Sequence, residues 1–165
     1  MTTAVEAPER LLAAARPLVV RYCRTRLDPE LADDVAQEVC IAVLRALPRR
    51  PPERSFPAFV CGIARQYVVL AHKAAAKVQD EPVAELPDEA DPAMDPEHHA
   101  LQRELGERVG RLLQVLSEKQ REIVLLRVVV GLSADETAEV VGSTAGAVRV
   151  AQHRALGQLR KAVAG

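Results

Sequence analysis

The chain has 165 residues and a formal net charge of −1; 48% of it is apolar, only 2% is aromatic, and tryptophan is absent. Such an aliphatic composition favours packed helices over a sandwich or barrel, and no apolar run nears the roughly 20 residues that cross a bilayer. Cys23, Cys40 and Cys61 show no C-x-x-C spacing, which argues against a disulfide framework and predicts small buried hydrophobes in a reducing compartment. In chain order, the amino terminus "MTTAVEAPERLLAAARP" has acids and arginines where a signal peptide carries its apolar stretch, so a soluble, cytoplasmic protein with no membrane insertion is expected. Residues 9–27 then form an amphipathic pattern through Leu11, Leu12, Ala15, Val19 and Tyr22, with Pro17 as an expected kink or restart. Asp28-Pro29 offers an N-cap acid and a first-turn proline for a second helix. Leu31, Val35, Val39, Ala42 and Ala46 give that helix one apolar stripe. "PRRPPERS" (48–55) ends it, and a third helix follows over about Pro57–Lys77, carrying Phe59, Ile63, Val69 and Leu70.

Residues 78–97 hold eight acids, four prolines and no base. With no hydrophobic period and prolines that remove donors, they read as a flexible acidic linker. The flanking segments carry a basic excess: 12 Lys/Arg against 8 Asp/Glu over 1–77, and 10 against 7 over 98–165. The near-neutral total therefore says little about partners. Beyond the linker, Leu101, Leu105, Val109, Leu112 and Leu116 mark a helix face. "SEKQ" (117–120) and "SADE" (133–136) are capping boxes that open two more helices. Between them "EIVLLRVVVG" is expected as a buried helix ending at Gly131, because no other strand is available to pair with Val128-Val129-Val130. The reading is all-α: three helices, a linker, and about four more.

Near the carboxyl end, residues 134–141 form a short helix, Gly142 supplies a tight turn, and Ser143 or Thr144 caps the next helix. On that last helix Val148, Ala151, Ala155 and Leu159 face inward. Arg149, Val150, Gln152, His153 and Arg154 cover the rest. Ala145 and Gly146 near its start are small enough to approach a groove closely. An ordinary surface helix and a DNA-reading helix both remain open on this stretch alone. In "DDVAQEV" (33–39), Asp34, Gln37 and Glu38, with Arg45 further on, lie opposite the apolar stripe; such a face is either solvated or docked on a basic partner.

Together, "ADDVAQEV", "FPAFVCGIARQYVVLAHK" and "LSEKQREIVLLRVVVGLSADETAEVVGSTAGAVRVAQHRALGQLR" resemble the bacterial extracytoplasmic-function (ECF, group IV) sigma factors of the sigma-70 family, most of all the actinobacterial SigD-like group. The resemblance implies an all-α protein of two small domains. A three-helix sigma-2-like domain over 1–77 is joined by the acidic linker, 78–97, to a four-helix sigma-4-like domain with a helix-turn-helix over 98–165. It implies a transcription initiation factor that binds core RNA polymerase, at its β′ clamp helices and β flap, and directs it to −10 and −35 promoter elements. Asp34, Gln37, Glu38 and Arg45 match the polymerase-docking helix. Residues 49–77 match the −10 reading and opening segment. The helix over Thr144–Arg160 matches the one that enters the −35 major groove. An anti-sigma factor is a further possible partner.

The residues themselves suit that chemistry. Phe56, Phe59 and Tyr67 are three of the chain's four aromatics, and they sit among Arg49, Arg50, Arg54, Arg65 and Lys73; opening a duplex needs stacking platforms and cations for the freed strand. Phe59 stands where the family usually has Trp and reads as core, leaving Arg54, Phe56, Arg65, Gln66, Tyr67 and Lys73 as the −10 contacts. For −35 the candidates are Ser143, Thr144, Ala145, Gly146, Arg149, Val150, Gln152, His153 and Arg154, with Arg149 placed to bond guanine bidentately. Two departures from the family pattern bear on specificity. Gln66 and Leu70 stand where Asn and Asp are frequent, and Val150-Ala151 where Ser-Arg is frequent, which moves −35 readout toward Arg149.

No phosphate-cradling glycine loop, H-E-x-x-H or nucleophile elbow occurs, so no enzyme activity, small-molecule substrate or cofactor is expected. His98-His99 beside Asp95 and Glu97 is the sole metal-like cluster, and without supporting ligands it reads as solvated side chains. The rival readings are a helix-turn-helix regulator that binds duplex DNA without polymerase, and a helical interaction module with no DNA role.

Overall fold

The computed structural model describes residues 7–78 and 95–165. Regular structure among them is helical throughout: α1 (Pro8–Arg24), α2 (Pro29–Ala46), α3 (Phe56–Val78), α4 (Pro96–Leu113), α5 (Glu118–Val124), α6 (Ala134–Val141) and α7 (Ala145–Ala164). A short 3₁₀ turn, Leu47–Arg49, follows α2, and α5 continues into a π-helical segment, Leu125–Val130. The expected order of three helices and then four is the observed one. Most of the expected acidic linker, residues 79–94, lies outside the described residues. Its two ends are helical instead, since α3 runs on to Val78 and Asp95 caps α4 by accepting a hydrogen bond from the Glu97 N–H at 3.2 Å.

Helix α1 passes through Pro17 without a break. The carbonyl that proline strands belongs to Ala13, and both residues are exposed, so water can satisfy the lost bond. Helices α1, α2 and α3 pack around Ala15, Val19, Tyr22, Val39, Val43, Val60 and Val68, all essentially inaccessible. Small side chains line their contacts: Ala32, Ala36 and Cys40 on α2, and Ala58, Cys61 and Ala64 on α3. They rotate the buried faces away from the expected stripes. Leu31 is exposed and Ala42 and Ala46 only half-buried, while Val69 and Leu70 at the far end of α3 face solvent. Phe59 is core, as its sequence context suggested.

The three cysteines are buried and free. Burial raises all three thiols: Cys40, then Cys23 to about 11 (with Cys40 adding to burial) and Cys61 to about 12, where the Glu136 and Glu122 carboxylates reinforce burial. A thiol raised in the folded state is protonated there while its unfolded counterpart ionises. The associated stability is therefore complete below the ordinary value of 9.0 and is lost as pH climbs through about 11 to 12. Maleimide labelling of the native chain near neutral pH is expected to run at least about a hundredfold slower than in denaturant, because neither access nor thiolate is available. Intact-mass time courses measure this; equal native and denatured rates would contradict the burial.

In the second half, α5, α6 and α7 close around Ile123, Ala134, Ala138 and Val148, with Leu116, Val124 and Ala155 as a neighbouring cluster. Both capping boxes form in full: Ser117 with Gln120, and Ser133 with Glu136. The valine run is helical as expected but not wholly buried. The Gly131 and Leu132 N–H groups both donate to Leu126 O, at 3.0 and 2.9 Å, closing a wide turn that leaves Val128 and Val129 outside and only Val130 inside. Gly131 takes φ 89°, the left-handed conformation that ends the segment. The apolar face of α4 is largely uncovered: Leu101, Leu105 and Val109 are exposed, Leu112 and Leu113 are half-covered, and Leu116, just beyond the helix, is buried.

The halves are not separate bodies. Leu126, Val130, Leu132 and Val140, all from the second half, complete the core of the first. This seam positions the surfaces described next.

Candidate nucleic-acid interface

Helix α6 ends at Gly142, whose φ of 69° makes the tight turn, and the Ser143 N–H returns to Ala138 O at 2.9 Å. Between the two capping candidates Thr144 does the work, its Oγ1 accepting from the Ala147 N–H at 3.2 Å. Val148 and Ala155 anchor α7 completely, with Ala151 and Leu159 partly covered, as their spacing required. Thr144, Gly146, Arg149, Val150, His153 and Arg154 are exposed, Ser143 and Ala145 half-buried. One long helix thus presents a continuous outer face whose first turn is small and whose second carries a guanidinium.

Gln152 is held differently. Arg127, on the π-helical segment, donates through Nε to Gln152 Oε1 at 2.9 Å and through Nη1 to Leu132 O at 2.8 Å. That side chain is half-buried, and its amide oxygen is held as an acceptor. Arg127 escaped the sequence reading because its partner lies 25 residues away.

On the first half, the loop before α3 and the helix itself gather the cations and aromatics. Ser55 caps α3 through a hydrogen bond from the Ala58 N–H to Oγ at 3.1 Å. The Arg50 guanidinium lies 5.4 Å over the half-buried Phe56 ring. Arg54 reaches across α3 at Gly62, where a Cβ would stand 3.4 Å from its Nη2. Arg65, Gln66 and Lys73 are exposed and Tyr67 half-buried. Arg65 is also engaged: its Nη1 donates to Val140 O at 3.3 Å, and its Nε lies 3.8 Å from Glu122 Oε1.

On α2, Asp34, Gln37, Glu38 and Arg45 are all exposed, on the side away from Val35, Val39 and Val43. The neighbouring Asp33 pairs with Arg24 at 3.3 Å.

Residues 11–78 match the family described as Sigma-70 region 2, and residues 106–159 the one described as Sigma-70, region 4. Over 156 residues the chain is 51% identical to the ECF RNA polymerase sigma factor SigD of Mycobacterium tuberculosis, a match covering 91% of this chain and 74% of that one. The chain belongs to the ECF RNA polymerase sigma factors. This sigma factor is also 44% identical over 165 residues to the ECF RNA polymerase sigma factor ShbA of Streptomyces griseus, with 94% and 86% of the two chains covered. Its fold is that of two solved structures. One is CnrH in complex with the cytosolic domain of CnrY (TM-score 0.64, 23% identity, 94% and 86% covered). The other is the sigma factor RpoE in complex with the anti-sigma factor NepR from Bartonella quintana (TM-score 0.60, 20% identity, 93% and 91% covered). As a family member it is a transcription initiation factor. Among the described residues, no helix of this sigma factor is long and apolar enough to cross a membrane.

Sequence reasoning missed one group of the sigma factor altogether. Glu122 is buried on α5 and accepts a hydrogen bond from the Tyr22 hydroxyl at 2.9 Å, while its other oxygen pairs with the Arg26 guanidinium. Burial, then the Glu122 carboxylate, drives the Tyr22 phenol far above its ordinary range. These partners lie 96 and 100 residues from Glu122, so no local pattern announces them.

Proposed function

We propose that this sigma factor divides its work among three surfaces. The exposed α2 face of Asp34, Gln37, Glu38 and Arg45 docks on a basic surface of core RNA polymerase. The loop and helix carrying Arg54, Phe56, Arg65, Gln66, Tyr67 and Lys73 take the opened −10 strand. The outer face of α7, from Ser143 to Arg154, reads the −35 duplex. A domain division at 1–77 and 98–165, with the acidic connector between, fits this arrangement.

The observation that carries the reading is the anchoring of α7. Its inner residues are locked by Val148 and Ala155, so the outward Arg149 sits on a rigid element rather than a loop. A helix at a groove reads bases only when its register is fixed, because base contacts specify whereas phosphate contacts position. On α3 the same division holds: aromatic faces take unstacked bases and guanidiniums take backbone charge. The acidic α2 face supplies complementary charge and therefore association rate and register. Because one solved structure of this fold is in complex with the anti-sigma factor NepR and the other with the cytosolic domain of CnrY, we extend the proposal to an anti-sigma partner for this chain.

Reconstitution with core RNA polymerase on a genomic promoter library, followed by mapping of transcript starts, tests the whole. New start sites that share sequence at two spaced elements are expected. Unchanged starts, or duplex binding by the free chain as tight as that of its polymerase complex, would refute it.

A further inference from the structure

A cleft of about 520 Å³ opens to solvent beside Glu122. Arg26, Arg65 and His72 line it from the first half, and Lys119 and Arg121 from the second; its carboxylates are Glu118 and Glu122. Glu122 is already committed, for it accepts the Tyr22 hydroxyl at 2.9 Å, pairs with Arg26 and lies 3.8 Å from Arg65 Nε. Two guanidiniums against that one carboxylate leave a surplus cation. Arg121 donates to the Leu113 and Leu116 carbonyls, at 3.2 and 3.4 Å, so neutral acceptors hold it in place without cancelling its charge. Lys119 and His72 are exposed and have no side-chain partner among the described residues. Four permanent cations thus face two carboxylates, a surplus of two before His72 adds any charge.

We propose that this cleft binds a compact diphosphate, free or as the tail of a nucleotide. Its volume is that of an ordinary small-molecule site. Guanidinium and ammonium donors make their strongest bonds to ionised oxygens, and guanidinium geometry suits phosphate. Partial enclosure spares such contacts much of the screening that salt imposes on an open surface. Val68, Val69 and Val141 add an apolar side on which the body of a nucleotide can rest. A DNA strand suits the cleft less well. The cations surround one depression from three separate elements, the turn after α1, α3 and α5, and Glu118 and Glu122 stand among them. A strand running along either wall meets those carboxylates, whereas a small dianion sits between the cations. The site shares only Arg65 with the surface assigned to the −10 strand, and it does not depend on that assignment. A ligand held from both walls binds the folded arrangement and not the unfolded chain, so it stabilises the fold by mass action.

The test uses the full chain, without DNA or polymerase, at constant ionic strength. The probes are inorganic pyrophosphate and adenosine diphosphate, with adenosine monophosphate for comparison. Isothermal titration calorimetry is expected to show one saturable site for each diphosphate. At ten times the dissociation constant the melting temperature is expected to rise by roughly 3–6 °C. Lys119→Glu and His72→Glu alter exposed side chains, and each is expected to keep its helicity and weaken binding at least about tenfold. Arg10→Glu reverses an exposed charge outside the cleft, and binding there is expected to stay within about twofold of the parent. If one cleft variant fails to fold, the other decides. Tighter binding of adenosine diphosphate than of pyrophosphate supports the nucleotide as the source, and equal binding supports the free diphosphate; both support the site. No saturable binding below about 1 mM overturns the proposal. So does equal weakening by all three variants, which would mean general attraction to a charged surface, and so does adenosine monophosphate binding as tightly as the diphosphates. Displacement of pyrophosphate by a single-stranded oligonucleotide whose own binding Lys119→Glu weakens equally would give the cleft to nucleic acid, and likewise overturns it. With neither polymerase nor promoter present, this result stands apart from that of the promoter library.

Discussion

Reversing charge on α2 with Asp34→Arg and Glu38→Arg is expected to weaken association with core RNA polymerase by at least about a hundredfold, which corresponds to about 2.7 kcal/mol. Like charges brought together at an interface cost several kcal/mol, and this pair changes the local charge by four units on one helix face. Both side chains are exposed and neither is in the Arg24–Asp33 pair, so the helix itself has no reason to unfold; surface changes of this kind stay within about 0.5 kcal/mol of stability. A pull-down on core enzyme, alongside thermal unfolding, separates the two effects. Normal recovery of polymerase subunits would remove α2 as the docking face. Lost recovery with a lowered melting temperature would instead mean that the substitutions damage the fold.

Legibility in this sequence followed the range of the interaction. Ser117 with Gln120 and Ser133 with Glu136 are closed by side chains within a few residues and are legible in the letters alone, whereas after Gly142 the letters narrow the cap to Ser143 or Thr144 and the structure selects Thr144. Which aliphatic side chains end up covered is a different question. The large residues Leu31, Val69, Leu70 and Leu105 were weighted by hydrophobicity, yet the helices meet through Ala32, Ala36, Ala58 and Ala64. Small residues let backbones approach, and that approach sets the buried face. Pro17 misled in the opposite direction, because its cost is small where Ala13 and Pro17 both face water.

The site divides the same way. Arg149, Val150, His153 and Arg154 were legible because helical periodicity alone separates them from Val148 and Ala155. Gln152 is expected with them on the outer face but is half-buried, and its restraint by Arg127 depends on how the π-helical segment crosses α7. The Tyr22–Arg26–Glu122 cluster had no local signature. Glu122 stands at the boundary between the charged stretch "EKQRE" and the apolar run "IVLL", so in the letters it looks like any other acid on the exposed side of a helix. It is the kind of residue whose meaning appears only when the two halves are seen together.

Arg149→Ala is expected to reduce transcription from promoters that depend on the −35 element by roughly 5- to 150-fold, the range spanned by about 1–3 kcal/mol for a bidentate guanine contact. Polymerase association is expected to stay within about twofold of the parent, since α7 and the α2 docking face are different surfaces. Arg149 is exposed on a helix anchored by fully buried Val148, so truncation removes a reading group without opening a cavity. Arg154, one turn further on, is expected to act on phosphate. Arg154→Ala would then weaken binding evenly across sequences and lower the slope of log affinity against log salt by about 1. Competition among base-substituted −35 sequences distinguishes the two. Relaxed preference at one base pair in the Arg149→Ala protein identifies the guanine reader. An even loss at every position in that variant would reassign Arg149 to the backbone and leave base readout to Gln152 and His153.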